Sequence, residues 1–155
     1  MPLRLSRRVL LILLFSCQAV TAQEFQAEQK IKALKKLTSV AIVLRPNART
    51  EVLSFKELGD LIEAGLGQKV PKVKTMWASD TSNWLVLSYI TTADGGEASL
   101  TLYRHVIITE SGETTDAAVW DDSRIILNSV SQATLKEVIG TLLTAFAADY
   151  YRANR

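Results

Sequence analysis

Residues 83–127 constrain the chain most. Three runs rich in Leu, Val, Ile, Thr and aromatic residues follow one another there, separated by Asp94-Gly95-Gly96 and by Ser111-Gly112-Glu113. Connections this short join antiparallel neighbours, because a parallel return needs a crossover of about a dozen residues or more. The runs Asn83 to Thr92, Glu97 to Thr109 and Thr115 to Trp120 therefore predict an antiparallel meander. Arg124 to Leu127 follows Asp121-Asp122 and either extends the third strand past a bulge or forms another. A meander of this kind has an apolar face, which some other element must cover.

The cover is present on both sides of it in the sequence. Ser129 or Ser131 opens a last helix, with Ser129-Val130-Ser131-Gln132 at capping-box spacing. Leu135, Val138, Ile139, Leu142, Phe146 and Tyr150 recur at three- and four-residue steps and give that helix an apolar stripe. Upstream, Ser39 to Leu44 is almost continuously apolar and β-branched. It reads as a central strand covered on both faces, stopped by Arg45-Pro46-Asn47. Ser54-Phe55-Lys56-Glu57 predicts a helix start, continued by Phe55, Leu58, Leu61, Ile62 and Leu66, with Gly65 and Gly67 as its exit. Val70 to Trp77 contains Pro71 and several lysines, which an edge strand tolerates. The expected fold is α+β: a single mixed, largely antiparallel sheet of four to five strands with two helices, in the order β-α-β-β-β-β-α. Residues 37–155 form one domain, preceded by a polar leader over 23–36 that is partly helical or loose.

The first 22 residues have a different purpose. Arg4, Arg7 and Arg8 precede the apolar run Val9 to Phe15, which is far shorter than the ~20 residues that span a bilayer. Val20-Thr21-Ala22 presents small groups for cleavage between Ala22 and Gln23. The segment reads as an export signal, which makes the working protein periplasmic or secreted. Leu14-Phe15-Ser16-Cys17 offers a second route, in which Cys17 is lipidated and anchors the chain to the outer membrane, although Phe15 is larger than such a box prefers. Membrane contact is expected only on that route.

Removing the signal takes away three arginines and no acid, so 18 basic and 16 acidic residues become 15 and 16. Bulk charge then gives no basis for binding nucleic acid or an anionic membrane. Cys17 is the only cysteine, so the mature domain has no disulfide and no Cys nucleophile. The remaining 133 residues suffice for a core without staples, since a chain of that size buries about two-thirds of its unfolded surface.

Chemistry-bearing residues are sparse. His105 is the only histidine and shares a strand face with Thr101, Tyr103 and Ile107, opposite Leu100, Leu102 and Arg104. A lone histidine without cysteines does not make a zinc site, and no metal or other cofactor is expected. Asp121-Asp122 and Asp94 with Glu97 are the tightest carboxylate groups. Neither has the alternating oxygen ligands of a calcium loop, and a strand end and a turn account for them. There is no Gly-x-Ser-x-Gly and no phosphate-binding loop. Trp84, Tyr103, His105 and Trp120 remain as candidate binding residues, and Trp77 as a packing or rim residue.

Ser39 to Leu44, Leu100-Thr101-Leu102-Tyr103, Ala118-Val119-Trp120 and Phe146-Ala147-Ala148-Asp149-Tyr150-Tyr151, in this order of elements, resemble small bacterial envelope domains of the TolB N-terminal type and related outer-membrane accessory lipoproteins. The resemblance implies a non-enzymatic domain that binds another envelope component. Two other readings stand beside it: a carrier of a small apolar or aromatic ligand held by tryptophans between sheet and helix, and an enzyme that depends on His105. The processing route has a direct test. Mass spectrometry of the exported protein is expected to show Gln23 at the N-terminus, and an acylated Cys17 would establish the tethered form instead.

Overall fold

The computed structural model describes residues 26–48, 52–77 and 81–155. The signal, its cleavage site at Ala22 and Gln23, and Cys17 lie outside the described residues. A first helix, α1, occupies residues 26–32 and ends in a turn over 33–36. Then come β1 (Ser39–Ala48), α2 (Phe55–Lys69), β2 (Lys74–Met76), β3 (Asn83–Thr92), β4 (Gly95–Ile107), β5 (Thr114–Leu127) and α3 (Gln132–Ala153). The strands form one sheet in the order β2-β1-β3-β4-β5. β1 runs parallel to β2 and β3, and the β3–β4 and β4–β5 pairs are antiparallel.

The expected mixed sheet and element order hold, with α1 added at the front. Alternation decides which face is covered. Leu85, Leu87 and Tyr89 of β3, and Ala98, Leu100 and Leu102 of β4, are buried with Leu58, Ile62 and Leu66 of α2 and Leu135, Ile139, Leu142 and Phe146 of α3. Trp120 of β5 reaches the same core, where its ring meets that of Phe146 edge to face at 5.1 Å, and its Nε1–H donates to Asp149 at 3.0 Å. Leu34, within the turn after α1, and Leu37, just after it, are fully buried in this core as well.

Several local expectations change. β3, not β1, is the central strand, and β1 does not stop at Arg45-Pro46-Asn47 but pairs with β3 as far as Ala48. Pro46 is tolerated because of which way its nitrogen points. The Lys74 N–H bonds the Thr38 carbonyl at 2.9 Å, so even-numbered residues of β1 turn their backbone groups toward β2. Pro46 thus directs its missing N–H to the side away from β3, beyond the end of β2, and no bond to β3 is lost.

Gly65 and Gly67 do not end α2, which continues to Lys69. Gly65 is where Leu143 of α3 comes closest, and a Cβ would push it away. Gly95 and Gly96 open β4 instead of forming the turn, because the Ile126 and Ile90 carbonyls approach where side chains would otherwise stand. β5 is one strand whose irregularity falls at Val119, with Trp120 opposite Leu102 and Ala118 opposite Tyr103. Asp121 and Asp122 therefore lie within a strand and not at its end. Asp121 pairs with Lys30 at 2.7 Å and Asp122 pairs with Arg124, so the two carboxylates do not converge.

Both long helices have built caps. Ser54 Oγ accepts from the Glu57 N–H at 3.3 Å while the Glu57 carboxylate accepts from the Ser54 N–H at 2.9 Å, completing the expected capping box. Of the two serines offered for α3, Ser131 is the cap, accepting from the Thr134 N–H at 3.1 Å. The Ser54 hydroxyl, then its N–H, hold the Glu57 carboxyl below its ordinary value. Such a group stabilises the fold above the ordinary carboxylate range, and the contribution is lost as pH falls through its lowered folded value.

Denaturant titration is expected to show Phe146→Ala losing about 3–5 kcal/mol, as for an aromatic deleted from a packed core. Ser54→Ala is expected to lose about 1 kcal/mol, the usual cost of an N-cap.

Candidate binding site

The sheet is unequally finished at its two parallel strands. β2 is three residues long and pairs only with Ser39, Val40 and Ala41. It is the edge strand expected over Val70 to Trp77, reduced to Lys74–Met76. Beyond it β1 continues to Ala48, with β3 on one side. Among the described residues, nothing pairs with the other side there, and Leu44 turns its N–H and C=O that way.

This open backbone lies in a groove of about 560 Å³ lined by Ile42, Val43, Leu44, Phe55, Lys56, Asp60 and Trp77. Phe55 and Trp77 are 57% and 53% exposed. Exposed aromatic rings beside an unpaired strand edge are a costly surface to leave in water, and they are the side chains that anchor partners in protein interfaces. Phe55 was expected in the buried stripe of α2. It shares the face of Leu58, Ile62 and Leu66 by spacing, but as the first residue of the helix it stands at the end of that stripe and is left exposed.

Trp77 is held in place. Its Nε1–H donates to Glu63 at 3.3 Å, and the Thr75 hydroxyl donates to the same carboxylate at 3.3 Å. Its six-membered ring lies over Gly59, where any Cβ would collide with it. Lys56 and Asp60 form an exposed i,i+4 ion pair at 2.6 Å on the groove wall, and Asp60 raises the Lys56 pKa by its hydrogen bond and then by its charge. Gly59 was the available sequence signal. A glycine inside a helical pattern asks for a close neighbour, and sequence spacing does not identify Trp77 as that neighbour.

The candidates Trp84, Tyr103 and His105 come together elsewhere, on the sheet face opposite the helices. Trp84 and Tyr103 are cross-strand partners, and the Trp84 and His105 rings meet edge to face at 4.8 Å. His105 Nδ1 pairs with Asp116 of β5. A cleft of about 350 Å³ lies beside them, lined by Val43, Arg45, Trp84, Val86, Tyr103 and Asp116. The fourth candidate, Trp120, is not with them but in the core at 2% exposure. A tryptophan-lined pocket between sheet and helix is thus not what these residues form, because Trp84 faces outward, Trp77 stands on the rim and Trp120 is packed on Phe146. The His105–Asp116 pair can orient an imidazole, but among the described residues no Ser, Thr or Cys nucleophile is hydrogen-bonded to it. Among the described residues, no group of three His, Cys, Asp or Glu side chains is arranged to hold a metal ion. No described helix is long and apolar enough to cross a membrane.

No protein-family model matches the chain. No curated protein matches it either. Among solved structures it is similar to a variant PelC dodecamer from Paraburkholderia phytofirmans, at 16% identity over 71% of this chain and 86% of that one, with a TM-score of 0.40. An uncharacterized protein is similar at 8% identity over 77% of this chain and 94% of the other, with a TM-score of 0.39. The rare lipoprotein B from Shewanella oneidensis is similar at 13% identity over 73% and 92%, with a TM-score of 0.24. At these values no residue's role passes from those proteins to this chain.

Gly59→Ala separates the seat of Trp77 from the helix that carries it. Removing a helical glycine favours the helix by about 1 kcal/mol, so overall stability is expected to hold. The indole must move off its seat, and the fluorescence of Trp77, isolated by replacing the other two tryptophans with Phe, is expected to shift.

Proposed function

We propose that this is an exported, non-enzymatic envelope domain that binds another envelope component by accepting an extended segment of it along the open edge of β1. The observation that supports this most directly is the combination of a stretch of β1 unpaired among the described residues with two exposed aromatic rings, Phe55 and Trp77, lining the groove beside it. An added strand gains main-chain hydrogen bonds from Leu44, and its alternate side chains fall into the groove toward Trp77. The export reading of residues 1–22 supplies the compartment.

The reading fits the shortness of β2. A full-length β2 would satisfy the edge of β1 within the chain and close this acceptor beside the groove. It also fits the lack, among the described residues, of a nucleophile bonded to the His105–Asp116 pair, and the expectation of a binding domain that the element order raised.

Affinity capture from an envelope extract with the mature protein tests it. A partner is expected with the wild type and is expected to be lost, by at least about tenfold, on Trp77→Ser, because a buried aromatic anchor contributes about 2 kcal/mol or more. Hydrogen exchange in the complex is expected to slow at the Leu44 amide. Equal capture by Trp77→Ser, or capture without protection at Leu44, would reject the site, and repeated failure to recover any partner would reject the function.

A further inference from the structure

The mature chain is close to neutral, but its charges are not evenly spread. The turn after α1, the C-terminus of α2, the start of β2 and the C-terminus of α3 all meet at one end of the domain. Three contacts bring them together. Asn154 accepts from the Lys36 N–H at 3.0 Å and donates to the Leu34 carbonyl at 3.1 Å. The Tyr151 hydroxyl donates to the Lys69 carbonyl at 2.9 Å. The Lys74 N–H bonds Thr38, next to the start of β1.

The outcome is a basic surface made of Lys35, Lys36, Lys69, Lys72, Lys74 and Arg155. All of them except the half-buried Lys69 are exposed. None of the six makes an ion pair among the described residues. The nearby acids are already engaged: Glu28 with Lys32, Asp121 with Lys30, Asp149 with Arg152, and Glu63 with the Thr75 hydroxyl and the Trp77 N–H. Glu110 and Glu113 belong to the β4–β5 turn, on the far side of the sheet from β2. Folding has ordinary uses for some of these cations. Lys69 complements the C-terminal dipole of α2, and Lys74 guards an edge strand. Lys35 and Lys36, just past the C-terminus of α1, and Arg155, just past that of α3, are placed as Lys69 is, but Lys72 has no such use, and self-repulsion makes the grouping of all six unfavourable in isolation.

We infer that this end of the domain docks on an anionic phospholipid surface. Charge complementarity is the first reason, since clustered lysines and arginines are attracted to anionic headgroups at roughly 1 kcal/mol each. The second is the position of the chain that precedes the described residues. α1 starts at residue 26 and packs its Lys30 on β5, so the segment leading in from Cys17 or Gln23 reaches the domain through the same helix that ends in the basic turn. Eight residues separate an acylated Cys17 from α1, a reach of at most about 30 Å when extended. A lipid on Cys17 would thus place the basic end within reach of headgroups, and the unlipidated form would still bring six unpaired cations. The inference rests on export but not on the β1 groove, which is built from other residues.

The test is cosedimentation of the mature protein with vesicles of phosphatidylcholine alone or mixed with phosphatidylglycerol. Binding is expected to favour the anionic vesicles and to weaken with added salt. Each of Lys35→Gln, Lys36→Gln and Lys72→Gln is expected to reduce that preference about fivefold, and the triple variant to abolish it. These are exposed surface positions, and circular dichroism of the triple variant is expected to match the wild type. Glu97→Gln, in β4 near its hairpin with β3, is expected to have no effect. Equal binding to both vesicle types, an unchanged preference in the triple variant, or binding to soluble polyphosphate without binding to anionic vesicles would each overturn the inference. Loss of vesicle preference with partner capture intact would leave the groove reading standing, and the reverse would leave this one.

Discussion

The packing of α3 and α2 on one face of β3 and β4 is the constraint on which the rest of the molecule depends. Leu85, Leu87 and Tyr89 of β3 and Ala98, Leu100 and Leu102 of β4 are buried by it, and Trp120 and Phe146 lock the β5 side of the same layer. Because only one face is covered, the opposite face and the outer edges are free to carry polar or unpaired groups. The Trp84–His105–Asp116 cluster lies on the first, and the groove beside β1 lies on the second. One-sided burial therefore separates the stabilising part of the structure from the exposed part within single strands.

The sequence was most informative where periodicity and local chemistry agree. The Ser54–Glu57 capping box, the α3 stripe and the hairpin strands are local patterns, and each is found where it was expected. The errors were made at positions whose meaning depends on a distant neighbour. Gly65 reads as a helix exit until Leu143 is known to pack on it, and Gly96 reads as a turn residue until the Ile90 carbonyl is known to approach it. Pro46 reads as a strand terminator because sequence does not show which of its two sides is unpaired.

The candidate site was less legible for the same reason. Trp84, Tyr103 and His105 could be grouped by strand alternation and cross-strand pairing, but the His105–Asp116 pair needs the β4–β5 register with its shift at Val119. The groove depends on the length of β2 relative to β1, a comparison of two segments more than 20 residues apart. The basic end is hidden further still, since total charge averages it away and only the Asn154 and Tyr151 bonds gather its residues.

The Asn154 clip also has a mechanical meaning. Any pull on the chain before α1 is carried by Lys30 on Asp121, by Arg104 holding the Ala33 carbonyl at 2.7 Å, and by Asn154 holding Leu34 and Lys36. The load enters β5, β4 and the end of α3, which are three of the longest elements. It does not pass through the three-residue β2. A domain tied to a surface by its N-terminus would thus bear tension on its broadest side, leaving the loosely finished edge of the sheet unstrained while the tether is taut.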